Sequence, residues 1–127
     1  VTCAATSQTP VLFDVAIAPL VGITYNPATG TFTVPVAGRY LVLGSLVWKY
    51  VTSGYRQIRI LKNGALYDLR EMPYPSASAD SAQAISRTLQ LAAGDTLVLA
   101  AYSYVTADLV ANSIRAYCSM EIYRLGP

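Results

Sequence analysis

This sequence predicts an all-β domain, a sandwich or barrel of eight or more short antiparallel strands. Three observations carry the prediction. Apolar residues recur at period two along most of the chain. Turn-forming Gly, Pro, Asn and Asp interrupt them at short intervals. No helical period holds over any long window. At 127 residues the chain fits a single domain, 1–127, without internal repeat, linker or low-complexity tract.

The elements follow in order. Val11 to Ile17 alternates and ends before Pro19. Tyr25 to Gly30 reads as a turn, because Asn26 and Pro27 initiate one and Gly30 accepts positive φ. Thr31 to Val34 is a short strand closed by Pro35. The longest strand is expected over Arg39 to Val51. Tyr40, Val42, Gly44, Leu46 and Trp48 share one of its faces; Leu41, Leu43, Ser45 and Val47 share the other. Both faces are mostly apolar, a pattern that suits a strand covered on both sides. Tyr55 to Lys62 alternates, with Tyr55, Gln57, Arg59 and Leu61 opposite Arg56, Ile58, Ile60 and Lys62. Asn63-Gly64 is a strong hairpin signal and leads into Ala65 to Arg70. Met72 to Ala79 reads as a surface loop. Ala82 to Leu91, Thr96 to Tyr104 and Ser113 to Leu125 complete the strands, and Ala107 to Ala111 is the one stretch suited to a helical turn.

Composition excludes several classes of function. Nine Lys plus Arg against seven Asp plus Glu give a net charge of +2, with no basic run, so nucleic acid is not an expected partner. No apolar stretch reaches the roughly 18 residues of a membrane-spanning helix, and no membrane insertion is expected. Histidine is absent, which removes the commonest general base and metal ligand. No Ser-His-Asp or Cys-His pair can form, and no enzyme is expected. Glu71 and Asp68 stand three apart on a strand, on opposite faces, and do not make a carboxylate pair flanking a cleft. Asp68, Asp80 and Asp108 are scattered, without the spacing of a calcium loop, and Asp95 after Gly94 reads as a turn cap. No cofactor or metal is expected. Hydrophobic residues nonetheless make up 54% of the chain and charged ones 13%. A monomer of this mass exposes on the order of 6,500 Å², and the charged side chains cover about a quarter of it. The surplus apolar and tyrosine surface predicts an oligomer.

Tyr25 to Tyr40, reading YNPATGTFTVPVAGRY, resembles the signature of the C1q/TNF-like superfamily: an aromatic, a polar turn, Gly, Phe, then Pro-x-x-Gly-x-Tyr entering a long strand. Leu61-Lys62-Asn63-Gly64 looks like the family's strand ending in Asn-Gly, and Leu89 to Leu97 like its Leu-x-Leu-x-x-Gly-Asp hairpin. The resemblance implies a ten-strand antiparallel jelly roll that assembles as a compact homotrimer. The last strand, Tyr117 to Leu125, departs from the animal members and is more similar to bacteriophage virion, fibre or bacterial surface versions. It implies a non-enzymatic structural or adhesion module, a fibre tip or decoration protein, at a virion or extracellular cell surface. Its partners would be its own copies, other virion or fibre proteins, and a host-surface glycan or protein. A soluble trimeric carbohydrate-binding lectin is the alternative. The family's topology sets the first and last strands side by side, which leaves a Cys3–Cys118 disulfide open; assembly in a reducing cytoplasm favours two free thiols.

Two groups of residues are candidates for function. Lys49, Tyr50, Tyr55 and Arg56 flank one loop and are expected to face outward, suited to stacking on a sugar or a nucleobase. Tyr40, Val42, Leu46, Trp48, Tyr102, Tyr104, Tyr117 and Tyr123 are expected in the core or at the trimer interface.

Overall fold

The computed structural model describes residues 2–13, 22–49, 54–72, 81–105, 107–108 and 118–127. Over these residues the chain forms eleven strands: β1 (Thr2–Cys3), β2 (Gln8–Pro10), β3 (Thr24–Asn26), β4 (Thr31–Thr33), β5 (Gly38–Trp48), β6 (Arg56–Lys62), β7 (Ala65–Met72), β8 (Ser81–Leu91), β9 (Thr96–Ser103), β10 (Ala107–Asp108) and β11 (Ser119–Gly126). They build a three-stranded sheet ordered β11–β5–β8 and a six-stranded sheet ordered β3–β4–β9–β6–β7, with β2 also paired to β9. A short ladder joins β1 to β10. All the named strand pairs are antiparallel.

The two sheets face each other across one core. Tyr40, Val42, Leu46 and Trp48 enter it from β5, Ile85, Leu89 and Leu91 from β8, and Ile122 from β11. Opposite them stand Phe32, Ile58, Ile60, Leu97, Leu99 and Ala101 of the six-stranded sheet. The alternation of β5 thus sorts its residues as the period predicts. Two buried polar groups in the core find partners: the Tyr40 hydroxyl donates to Val36 O at 2.6 Å, and Trp48 Nε1 donates to Gln83 Oε1 at 3.0 Å. Gln83 Nε2 in turn donates to Arg70 O at 2.9 Å. Gly44 lets the two sheets approach closely, since a Cβ there would lie 2.6 Å from Leu99 Cδ1.

The hairpin turns match the sequence chemistry. Asn63 and Gly64 take φ of 51° and 81°, the left-handed pair a two-residue turn requires. Asn63 Nδ2 donates to Asp95 Oδ1 at 3.0 Å, and Asp95 Oδ2 accepts from the Ala92 amide at 2.8 Å. The β6–β7 and β8–β9 turns are therefore tied together, and Asp95 is the turn cap expected of it. These bonds and the Lys62 charge hold its carboxyl below its ordinary range.

Several boundaries differ from expectation. Val11–Phe13 is not a strand, although Val11 N donates to Leu99 O at 2.8 Å and extends the β2 pairing by one bond; residues 14–17 lie outside the described set. The β1 and β2 strands carry little apolar alternation and gave no strand signal. Ala107–Asp108 pairs with β1 rather than starting a helical turn, because the extended N-terminus offers it a partner. The last strand is described from Ser119, and 113–117 lie outside. Met72 belongs to β7, and the remainder of that expected loop lies outside. Cys3 and Cys118 are not joined by a disulfide. Cys3 is buried on β1, beside β10 and not β11, and its thiol approaches Ala101 O at 3.5 Å; burial raises the Cys118 thiol above its ordinary pKa.

Candidate functional site

A two-sheet sandwich has two outward faces, and here they differ in chemistry. Outward on the six-stranded sheet, strand register assembles a row from four strands: Glu71 of β7 opposite Gln57 of β6, Gln57 opposite Tyr102 of β9, and Tyr102 opposite Gln8 of β2. Gln57 Nε2 donates to Glu71 Oε1 at 2.7 Å. Arg59, two residues along β6 on the same face, crosses back over the row. Its Nε donates to Gln57 Oε1 at 2.7 Å, its Nη1 donates to Gln8 Oε1 at 2.9 Å, and its Cζ lies 4.0 Å from the Tyr102 ring centroid. Register pairs Arg59 with Ala100, whose small side chain leaves the space over Tyr102 open.

Beyond the row stand two more tyrosines, joined through the Tyr104 amide to Tyr55 O at 3.1 Å. Tyr104 meets Tyr102 edge-on at 5.3 Å and Tyr55 edge-on at 5.9 Å, the arrangement the ring quadrupole favours. Tyr55 and Tyr104 are 53% and 45% exposed, among the most open large side chains of the fold. The Glu71 charge raises the Tyr104 hydroxyl above its ordinary pKa, with desolvation and Tyr102 adding and Arg59 opposing. Three rings, one cation, one carboxylate and two amides thus form one connected surface.

The outward face of the three-stranded sheet is different. Leu41, Leu43, Ser45 and Val47 of β5 are half-buried there, flanked by exposed Ala82, Ala84, Ser86 and Thr88 of β8 and by half-buried Tyr123 of β11. A groove of about 360 Å³ crosses it, lined by Leu43, Ser45, Ala84, Ser86, Ser119 and Glu121, with Arg70 at its rim. Burial, with Glu121 adding, pushes the Tyr123 hydroxyl up. Among the described residues no three His, Cys, Asp or Glu side chains gather as a metal site. Asp68 pairs with Arg70 at 3.0 Å.

The candidate residues of the sequence fall into place unevenly. Tyr40, Val42, Leu46 and Trp48 are core residues of the protomer. Tyr55 is exposed as expected and Lys49 is exposed at the end of β5; Tyr50 and Tyr117 lie outside the described residues. Arg56 is a correction. It is fully buried, because strand alternation puts it on the Ile58 and Ile60 face, opposite Tyr55. Its guanidinium lies 5.7 Å from the Trp48 centroid, and Nη1 donates to Gly54 O at 3.2 Å. Nε and Nη2 have no partner among the described residues, and burial lowers the pKa. Of the two places expected for Tyr102 and Tyr104, the core is excluded, since they point outward beside Tyr55; a place at a subunit interface is left as an expectation. Gln8, Gln57 and Arg59 were not singled out by the sequence, and Glu71 was weighed only as half of a carboxylate pair with Asp68. Gln57 and Arg59 carried a signal in sharing a face with Tyr55; Gln8 and Glu71 needed the register.

Comparison with solved structures identifies the fold. The globular domain of zebrafish complement 1qA superimposes with a TM-score of 0.65 at 19% identity, over 98% of this chain and 94% of that one. The chain is therefore an all-β jelly roll of the C1q type. No family model matches the sequence. An uncharacterized protein of Acanthamoeba polyphaga mimivirus is 46% identical over 41 residues, a stretch covering 32% of this chain and 17% of that protein.

Proposed function

We propose that this chain is a non-enzymatic, self-associating C1q-like module, assembled as a homotrimer and serving as a structural or adhesive piece of a virion or surface fibre. One observation carries the reading: the outward face of β11–β5–β8 presents half-buried Leu41, Leu43 and Val47 beside Ala82 and Ala84, with Arg39 at the start of β5 and Glu121 of β11 as its charged members. Small side chains on β8 let another surface approach closely, and about 25 cal/mol is gained per Å² of apolar area it covers. A second copy fits that surface, because closed symmetry lets every subunit bury the same face. The C1q-type fold and the viral relative support the module and its setting.

The test is assembled mass. Sedimentation at micromolar concentration should give about 41 kDa, three times the 13.6 kDa chain. Leu43→Arg, which puts a charge on the half-buried face, should sediment as a folded protomer. Wild-type protein running as a 13.6 kDa species, or a Leu43→Arg trimer, would overturn the reading.

A further inference from the structure

We infer that the outward face of the six-stranded sheet binds a neutral carbohydrate, with Tyr55 and Tyr104 as stacking rings and Arg59, Gln57 and Glu71 as the polar frame. The inference rests on the adhesion reading and names its ligand class. A pyranose ring offers two kinds of surface, C–H faces that pack on aromatic rings and a rim of hydroxyls that both donate and accept. Tyr55 and Tyr104 supply open rings, 53% and 45% exposed, fixed in an edge-to-face chain with Tyr102. Beside them lie a carboxylate that accepts, the exposed Gln8 amide, and a guanidinium that donates, with buried Gln57 holding the Arg59 and Glu71 groups in place. Their geometry is held before any ligand arrives, by hydrogen bonds of 2.7, 2.7 and 2.9 Å through Gln57 and Arg59. Preorganisation of this kind lowers the entropic cost of binding.

Charge decides between neutral and acidic sugars. Arg59 and Glu71 offset one another through Gln57, so the patch carries no net charge. Arg59 has committed Nε and Nη1 to the two glutamines and its face to Tyr102, while Glu71 would repel a sialate or sulfate. Size decides between a sugar and a protein. Four strands span about 14 Å and the three rows of Tyr55, Gln57 and Arg59 about 14 Å, roughly 200 Å², where a stable protein interface takes about 800 Å² from each partner.

The experiment is a glycan array of neutral and acidic oligosaccharides, probed with wild type, Tyr55→Ala, Tyr104→Ala and Tyr104→Phe, each at an assembly state measured beforehand. Wild type should bind neutral glycans. Each alanine variant should lose tenfold or more with an unchanged melting temperature, as exposed residues permit, and Tyr104→Phe, which keeps the ring, should hold within about threefold. An array blank for neutral glycans, binding to acidic glycans alone, or alanine variants that bind as wild type does would overturn the inference. So would tyrosine-dependent capture of a surface protein that survives removal of its sugars. A trimer that binds no glycan sinks this inference and leaves the module standing; a protomer that binds glycan does the reverse.

Discussion

Replacing Trp48 tests the core assignment most severely. Trp48 is fully buried between the sheets, donates Nε1 to Gln83 Oε1 at 3.0 Å, and lies against the Arg56 guanidinium. Truncating a buried aromatic to Ala costs about 3–5 kcal/mol through lost transfer energy and the cavity left behind. The same change strips the Trp48 donor from Gln83 Oε1, in a side chain 7% exposed, and an orphaned buried acceptor costs about 1–3 kcal/mol more. The expected loss for Trp48→Ala is therefore about 4–8 kcal/mol, a large part of the 5–15 kcal/mol of a typical domain. Trp48→Phe restores most of the volume and removes only the donor, for about 1–3 kcal/mol. Trp48 is the sole tryptophan, so urea unfolding should be followed by far-UV circular dichroism, a probe that all three proteins share. A Trp48→Ala midpoint equivalent to less than 1 kcal/mol of destabilisation would refute the placement. A Phe variant as damaged as the Ala variant would show that the hydrogen bond, not the filled volume, dominates.

Other outcomes follow from the same packing. Gly44→Ala should lose about 1–3 kcal/mol in urea unfolding, because the new methyl meets Leu99 Cδ1 at 2.6 Å; Leu99→Val in the same chain should recover part of it. Arg56→Met should leave thermal stability within about 1 kcal/mol of wild type or raise it, since a buried guanidinium, two of whose nitrogens have no hydrogen-bond partner among the described residues, is replaced by an apolar side chain. A clear fall in melting temperature would refute that. Asp95 has a folded pKa below its ordinary 3.8, so its contribution is present above that value and is lost as pH falls through the lowered one. Asp95→Asn should flatten that acid limb in melts taken between about pH 2 and 7, and an unchanged limb would remove Asp95 as its source.

Alternation along one strand needs only that strand, and this is why the core was legible. Tyr40, Val42, Leu46 and Trp48 declared themselves as one face of β5, and the Asn63-Gly64 and Gly94-Asp95 turns set where the neighbouring strands reverse. Arg56 shows the price of ignoring the same rule. Adjacent residues on a strand point oppositely, so Tyr55 and Arg56 could not share an outward site, and the period already grouped Arg56 with Ile58 and Ile60. Grouping by loop proximity lost to grouping by parity.

The polar row was hidden for a different reason. Gln8, Gln57, Glu71 and Tyr102 come from four strands spread over most of the chain, and no spacing in the sequence relates them. Their meeting depends on register, and a slip of one residue in any pairing would send that member to the other face. The register is fixed elsewhere. The buried Ile58, Ile60, Leu99 and Ala101 must face the core, and the Asn63-Gly64 turn followed by a one-residue register shift between Ile60 and Leu61 aligns β6 on β7 so that Gln57 meets Glu71. Burial on the inner face of the six-stranded sheet thus determines which polar groups meet on its outer face. A binding surface built this way inherits its precision from the core behind it. Loosening that core, as with a Leu99→Ala cavity, should degrade glycan binding before it abolishes the fold, with array signal falling while far-UV dichroism holds. A Leu99→Ala protein that is folded, destabilised and undiminished in binding would break the link between core and platform.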